Sequence, residues 1–356
     1  MSAEPIPVID FTHERVLVTT GSRSGLVIIV AVHSTVLGQA LGGARVWQYP
    51  SWTDALADAL RLSAAMTLKN AAAGLPRGGG KSVIHLPLGT VLSEAQKRDA
   101  MLDLGDAVES LNGAYMTAED VGTSAELMAI VAERTTHVCG LPPEQGGVGE
   151  PADATAAGVH ASVLATLEAI FGTREVEGRH IVISGLGQVG GRLARSLAAA
   201  GARLTVSDVD LTRMTLATDL GATWVDVPNA HSVAADLFVP CGLGGVLTER
   251  VIDELRVPGV VGAANNQLAE RAGADQLAAR GILWAPDFVV NAGGVIYLDQ
   301  AALPGASQVA IEERVAAIGD TIAEIFRDAA ATGITTLEAA ERLANGRLRG
   351  TVGVGI

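Results

Sequence analysis

Apolar positions repeat along this chain with two periods, near two and near 3.6 residues, and the changes of period outline its elements. Residues 15–20 and 25–34, the second with the unbroken apolar run Leu26 to Val32, predict two strands joined by a turn at Gly21 to Gly25. Leu56, Ala59, Leu60 and Ala64 recur on one face behind a capping Thr53, which predicts a helix over 53–68. A second helix follows over 93–111, opened by Ser93 and stopped by Asn112-Gly113, and a third over 124–133. Between them, 37–43 and 75–80 read as glycine-rich irregular segments, and 83–86 and 115–117 as short strands. Proline and glycine crowd 141–153, the best linker candidate. Beyond it a helix is expected over 155–171. Short apolar strands near 181–183, 204–207, 223–225, 237–239, 257–262 and 282–284 then alternate with helical stretches. A long amphipathic helix is predicted over 309–332 and a last one over 336–349.

Strands alternating with helices call for an α/β fold with a parallel sheet. The expected architecture is two domains separated by a cleft, the second a Rossmann-type doubly wound parallel sheet. The first domain is set at 1–148 and the second at 149–306, with the helices of 307–356 expected to pack back toward the first.

Composition narrows this further. A chain of 356 residues, 49% hydrophobic and 18% charged, can bury two cores. A net charge of −14 opposes nucleic acid and anionic membrane as partners, because phosphate would be repelled. The early apolar run is far too short to span a membrane, and the N-terminus lacks the basic-then-apolar order of a signal peptide. Two cysteines, Cys139 and Cys241, give no disulfide framework, so a cytoplasmic location is expected.

The strongest chemical signal is at residues 181–210. An apolar strand runs into Gly185-Leu186-Gly187-Gln188-Val189-Gly190, a helix follows, then a second strand ending at Asp208. Gly185 permits the tight turn, Gly187 lets backbone approach a pyrophosphate, and Gly190 lets helix and strand pack closely. The helix N-terminus offers N–H groups to phosphate, and Asp208 can accept from ribose hydroxyls. The glycine pattern alone is common in a chain with 42 glycines; the order strand, helix, strand, acid makes it specific. The acid favours NAD over NADP, with Arg213 close enough to keep NADP open.

A second constellation lies upstream: Leu41-Gly42-Gly43-Ala44-Arg45, Met66 to Asn70, Gly78-Gly79-Gly80-Lys81-Ser82, and Thr117 to Thr123 with Asp120. Gly80-Lys81-Ser82 does not make a P-loop, since Leu75 stands where its first glycine is required. Taken alone, Lys69 and Lys81 also read as solvated lysines, and Asp120 as a cap for the helix near Ser124. No cluster of His, Cys or acidic residues suggests a metal site.

These segments, with Ala263-Ala264-Asn265-Asn266-Gln267-Leu268 and Ala285 to Gly294, resemble the leucine, valine and phenylalanine dehydrogenases of the glutamate dehydrogenase superfamily, over about residues 33–332. The resemblance implies NAD-dependent, reversible oxidative deamination of an apolar L-amino acid to its 2-oxo acid and ammonia, by a homo-oligomer. It implies that Lys69 and Asn265 hold the substrate carboxylate and Lys81 activates water. Lys69 is expected to help depress the Lys81 pKa. Asp120 exchanges protons with the amino group. Thr155, the 185–190 turn, Asp208, Cys241 and Asn291 face the cofactor; a small buried cysteine and a turn-forming asparagine are the plain alternatives for the last two.

Glutamate-specific relatives place lysine where Leu41 stands, so a glutamate side chain would be left unpaired here. The other side-chain pocket candidates beside Gly42 and Gly43 are Met66, Ala118, Val295 and Leu298, all apolar. Ala118 and Val295 resemble the leucine and valine enzymes, whereas Leu298 is closer to a phenylalanine-enzyme pattern. Branched aliphatic substrates are favoured, with phenylalanine next. A catalytically silent NAD-binding regulator is the reading from another class, and the intact Lys69, Lys81, Asp120 and Asn265 weigh against it.

Overall fold

The computed structural model describes residues 12–145, 151–301, 303 and 305–352. The chain divides into two units, Met1–Thr67 with Pro76–Gln145, and Leu68–Leu75 with Gly146–Ile356. Residues 146–150 of the predicted linker lie outside the described residues.

The first unit contains β1 (Arg15–Thr20), β2 (Val27–Ser34), β3 (Ala40–Gln48), most of α1 (Trp52–Ala72), β4 (Gly78–Leu86), α2 (Glu94–Glu109), β5 (Tyr115–Glu119) and α3 (Ala125–Val131). Its sheet has the order β1-β2-β4-β3-β5. The β1–β2 and β2–β4 pairs are antiparallel, and β3 runs parallel to both β4 and β5. The unbroken apolar run in β2 is explained by cover on both faces. Ile28, Val30 and Val32 join a core with Met101 and Leu104 of α2, whereas Ile29 and Ala31 join one with Ala55 and Ala59 of α1.

Two glycine segments expected to be irregular are strands instead. Ala40 to Gly43 opens β3, and Gly78 to Gly80 opens β4. Glycine is a poor strand former, but neighbours here leave no room for anything larger. A Cβ on Gly79 would meet the Thr67 backbone nitrogen at 2.1 Å, and one on Gly80 the Tyr115 ring at 2.5 Å.

The β1–β2 turn is held from below by Asp103 of α2, which is buried. Its carboxylate accepts from the backbone N–H groups of Arg23 and Ser24, from Ser24 Oγ, and from Arg23 Nη1 at 2.7 Å. Burial alone would raise its pKa; the bonds from Ser24 and Arg23 outweigh burial and hold it below the ordinary carboxylate range. Stability from a depressed carboxyl pKa is complete above the unfolded value of about 3.9 and is lost as pH falls through the folded value. Asp103→Asn should therefore cost about 2–4 kcal/mol at neutral pH. In urea titrations the deficit should shrink toward about pH 3; an undiminished gap in acid would show that the charge is immaterial.

The second unit contains α4 (Ala152–Phe171), β6 (His180–Ser184), α5 (Gln188–Ala199), β7 (Arg203–Ser207), α6 (Met214–Asp219), β8 (Thr223–Trp224), α7 (Val227–Ala230), β9 (Leu237–Pro240), α8 (Glu249–Glu254), β10 (Gly259–Val260), α9 (Gly273–Ala279), β11 (Leu283–Trp284), α10 (Asp287–Val290), α11 (Gly293–Ala301), α12 (Gln308–Ala316), α13 (Ile318–Thr332) and α14 (Thr336–Val352). Its six strands run parallel in the order β11-β10-β9-β6-β7-β8. Strand order reverses between β6 and β9, the place where doubly wound sheets open a binding crevice.

One expectation needs correction. The long helix over 309–332 is two helices, α12 and α13, interrupted at Ala317. Of the C-terminal helices, α12 and α13 both pack on α4 within the second unit. The last turn of α1 and the residues after it, Leu68–Leu75, go with the second unit. They are held there by Arg347 of α14, which donates to the Ala71 and Ala72 carbonyls, and by Arg314 of α12, which donates to that of Gly74.

Candidate active site

In the first unit, β3 lies between β4 and β5, so side chains at the same level on three strands converge. Lys81 of β4 is 5% exposed and its Nζ donates to Asp120 Oδ2 at 2.8 Å. Asp120 stands just past β5, where the Thr123 hydroxyl accepts from its backbone N–H. The helix after it is capped by Ser124, so Asp120 is not spent as a cap. Gly43 makes this pairing possible. A Cβ there would meet Asp120 Cβ at 2.7 Å and Lys81 Nζ at 3.3 Å. Gly42 likewise faces the Gly80 carbonyl, which its Cβ would meet at 1.8 Å. Leu41 and Ala118 are buried and Met66 half-buried.

Burial pushes the Lys81 ammonium well below the ordinary lysine pKa, against the opposing pull of Asp120. The like charge that adds to the depression is Arg45, a part the sequence reading gave to Lys69. For Asp120, burial alone would raise the pKa, but Lys81 and Arg45 hold it below the ordinary range. The pair is thus a carboxylate beside an amine that gives up its proton more readily than an exposed lysine does, which suits proton exchange.

Sequence reasoning quoted Arg45 only as part of a motif. Its Nε donates to Asp120 Oδ2 at 2.9 Å and its Nη1 to Asp58 Oδ2 at 2.9 Å. No periodic signal marked it, because the glycines before it give the segment the composition of a loop.

In the second unit, Lys69 Nζ donates to Asn291 Oδ1 at 2.6 Å. Asn291 Nδ2 in turn donates to Asn265 Oδ1 at 2.8 Å and to the Ala263 carbonyl at 3.1 Å. Asn291 therefore bridges the two residues expected to hold a carboxylate, although the sequence reading had set it with the cofactor. Beside them Asp287 is buried; burial raises its pKa, opposed by N–H groups of Asn266 and Gln267 and by Lys69. Val295 and Leu298 lie one turn apart on α11, half-buried and buried respectively.

The glycine turn has the geometry its spacing predicts. Gly185 has φ +103° and presses on the chain after β9, so that its Cβ would meet Gly242 N at 2.7 Å. Gly190 lies against the Gly185 carbonyl, 1.9 Å from where its Cβ would be, with Cys241 Cβ at 3.0 Å. Cys241 thus packs at the turn, and burial pushes its thiol pKa up to about 11. At Gly187 the reverse holds: a Cβ would meet nothing within 4 Å. Gly187 is also the N-cap of α5 and has no side-chain bond to the first N–H groups of that helix, which Gln188 and Val189 open. An open approach to a helix N-terminus fits a pyrophosphate. Asp208 stands just past β7 and accepts from the Leu186 N–H at 2.5 Å, tying the acid to the turn. Thr155, in the first turn of α4, donates to the Pro151 carbonyl and packs on Gly294, whose Cβ would lie 2.6 Å from its hydroxyl. Among the described residues no group of three or more His, Cys, Asp or Glu side chains is suited to a metal.

Comparison with known proteins agrees with both halves of the chain. Residues 9–137 match the family described as Glu/Leu/Phe/Val dehydrogenase, dimerisation domain, and residues 216–348 match Glutamate/Leucine/Phenylalanine/Valine dehydrogenase. A leucine dehydrogenase of Geobacillus stearothermophilus is 40% identical over 340 residues, 95% of this chain and 91% of that one. A phenylalanine dehydrogenase of Lysinibacillus sphaericus is 40% identical over 338 residues, 93% and 87% of the two chains. The crystal structure of an L-tryptophan dehydrogenase from Nostoc punctiforme superposes with a TM-score of 0.83 at 35% identity, covering 96% of this chain and 97% of that one. The two-domain α/β fold, the glycine turn and the paired Lys81 and Asp120 thus occur in a chain that belongs to the Glu/Leu/Phe/Val dehydrogenase family, an oxidoreductase of the NAD(P)-dependent amino-acid dehydrogenase type.

Proposed function

We propose that the protein is an NAD-dependent dehydrogenase of apolar L-amino acids, leucine and valine before phenylalanine. The observation that carries the chemistry is the buried Lys81–Asp120 pair. Lys69 and Asn265, linked through Asn291, hold the α-carboxylate by charge and hydrogen bond. Asp120 takes a proton from the α-ammonium, leaving the amine whose lone pair drives loss of the α-hydride. A nicotinamide dinucleotide held at the 185–190 turn and Asp208 would supply the hydride acceptor. Lys81, whose neutral form burial favours, then takes a proton from water as it adds to the iminium carbon. Asp120 returns a proton to nitrogen, then takes the hydroxyl proton as the carbinolamine collapses to ammonia and the 2-oxo acid.

Three observations support the substrate choice. Leu41 is buried and apolar where a glutamate side chain would need a cation. Ala118, at 6% exposed, leaves less room than glycine would. The first relatives named above include a leucine dehydrogenase. For the cofactor, Arg213 is engaged with Asp210, Nε to Oδ2 at 3.5 Å, which leaves Asp208 to meet an unphosphorylated ribose. The family's dimerisation domain supports a homo-oligomer, the net charge of −14 supports a soluble protein without nucleic-acid partners, and the two unpaired cysteines suit the cytoplasm.

The test is reduced-cofactor formation against a panel of L-amino acids, with NAD and with NADP. L-leucine and L-valine should give the highest kcat/KM, L-glutamate almost none, and NAD should exceed NADP by about tenfold or more. Phenylalanine well above leucine would overturn the pocket argument. Equal use of both dinucleotides would overturn the role given to Asp208.

A further inference from the structure

A chain of charged groups leads away from the catalytic pair, and nothing in the proposed mechanism uses it. Arg45 lies at its centre. From β3 it reaches Asp120 with Nε and Asp58 of α1 with Nη1, both at 2.9 Å. Asp58 accepts in addition from the Tyr49 hydroxyl at 2.7 Å and from Arg61 Nη2 at 2.7 Å. Arg45 and Lys81 meet the same oxygen of Asp120, Oδ2. Oδ1 has no hydrogen bond among the described residues. A guanidinium keeps its charge at any working pH and cannot exchange the proton that lysine exchanges. Its fork, bonded to a carboxylate at each end, also has one geometry.

We propose that Arg45 is a positioning residue that, braced by Asp58, fixes the Asp120 carboxylate by one oxygen and presents the other to the substrate nitrogen while Lys81 is without its proton. When Lys81 is neutral, Asp120 loses that ion pair, and Arg45 keeps it ionised and in place. The same cation disfavours the charged form of Lys81, so it also sets the pH at which the base becomes available. This rests on the dehydrogenase reading given above.

The charged groups that act on Lys81 are Arg45 on β3, Asp120 just past β5, and Asp58 of α1, which Tyr49 and Arg61 hold; Tyr115 bonds to Ser82 and Thr117 on the other face of the sheet, and His85 stands against Tyr49, 6.4 Å between ring centroids. Arg45 pushes the Lys81 pKa down and Asp58 pushes it up. Removing them should therefore move the acid limb of kcat/KM for deamination in opposite directions. Arg45→Met should shift the limb up by about one pH unit and lower kcat about tenfold or more. Asp58→Asn should shift it down. Arg45→Lys keeps a cation but cannot span both carboxylates, so its limb should stay nearer the wild-type position while kcat falls. Thermal melting of each variant separates loss of fold from loss of function.

If the wild-type protein turns over amino acids and the limbs of Arg45→Met and Asp58→Asn stay in place or move together, the inference is wrong and the dehydrogenase reading stands. If the wild-type protein turns over no amino acid, that reading fails and takes the inference with it.

Discussion

Lys81→Ala is expected to lower kcat for oxidative deamination by about 10³-fold, with binding of the dinucleotide unchanged. The side chain is almost wholly buried, so no solvent lysine can stand in for it. Burial favours its neutral form, and Asp120, its ion-pair partner, is committed to the substrate nitrogen, which leaves the activation of water to Lys81. The dinucleotide turn, by contrast, belongs wholly to the second unit. Cofactor binding followed by fluorescence should therefore match the wild type while steady-state turnover collapses. Undiminished turnover would remove Lys81 from the mechanism.

The second large effect should come from Asp120→Asn, and its pH dependence makes it the more informative variant. An amide can still bond to Arg45 and Lys81 but cannot take a proton from the substrate ammonium. A loss of about 10²–10³-fold in kcat is expected. Asp120 is also the group that holds the Lys81 pKa up against burial. With its charge gone, that pKa falls further, so Lys81 is neutral over a wider pH range. If a neutral lysine were all the reaction needed, Asp120→Asn would gain activity at lower pH. The expected profile instead keeps a low plateau with its acid limb moved down. A plateau at the wild-type level would show that Asp120 does no more than tune Lys81.

The fold was largely legible in the chain because its strongest patterns are local. The double cover on β2 is written in an unbroken apolar run, and the turn at Gly185, Gly187 and Gly190 in a spacing that serves one structure. What escaped notice depends on contacts distant in sequence. Gly78 to Gly80 have the composition of a loop, and only Thr67 and Tyr115 pressing on them show why glycine is tolerated in a strand. Asn291 sits 222 residues from Lys69, and no spacing rule joins them. Arg45 lies 75 residues from Asp120 and was passed over because an arginine beside glycines and alanine carries no periodic signal. The site was therefore legible in its residue types, through resemblance, and not in the bonds that connect them.

The grip of Arg314 and Arg347 on the end of α1 bears on how such enzymes can be recombined. A chimera spliced at 145/146 would take the Leu68–Leu75 segment from one parent, and Arg314, Arg347 and Asn291 from the other. The seam would then cut through the seat of Lys69. Crossovers that exchange 68–75 together with the C-terminal half keep that seat from a single parent, and an affinity tag is better placed away from α14.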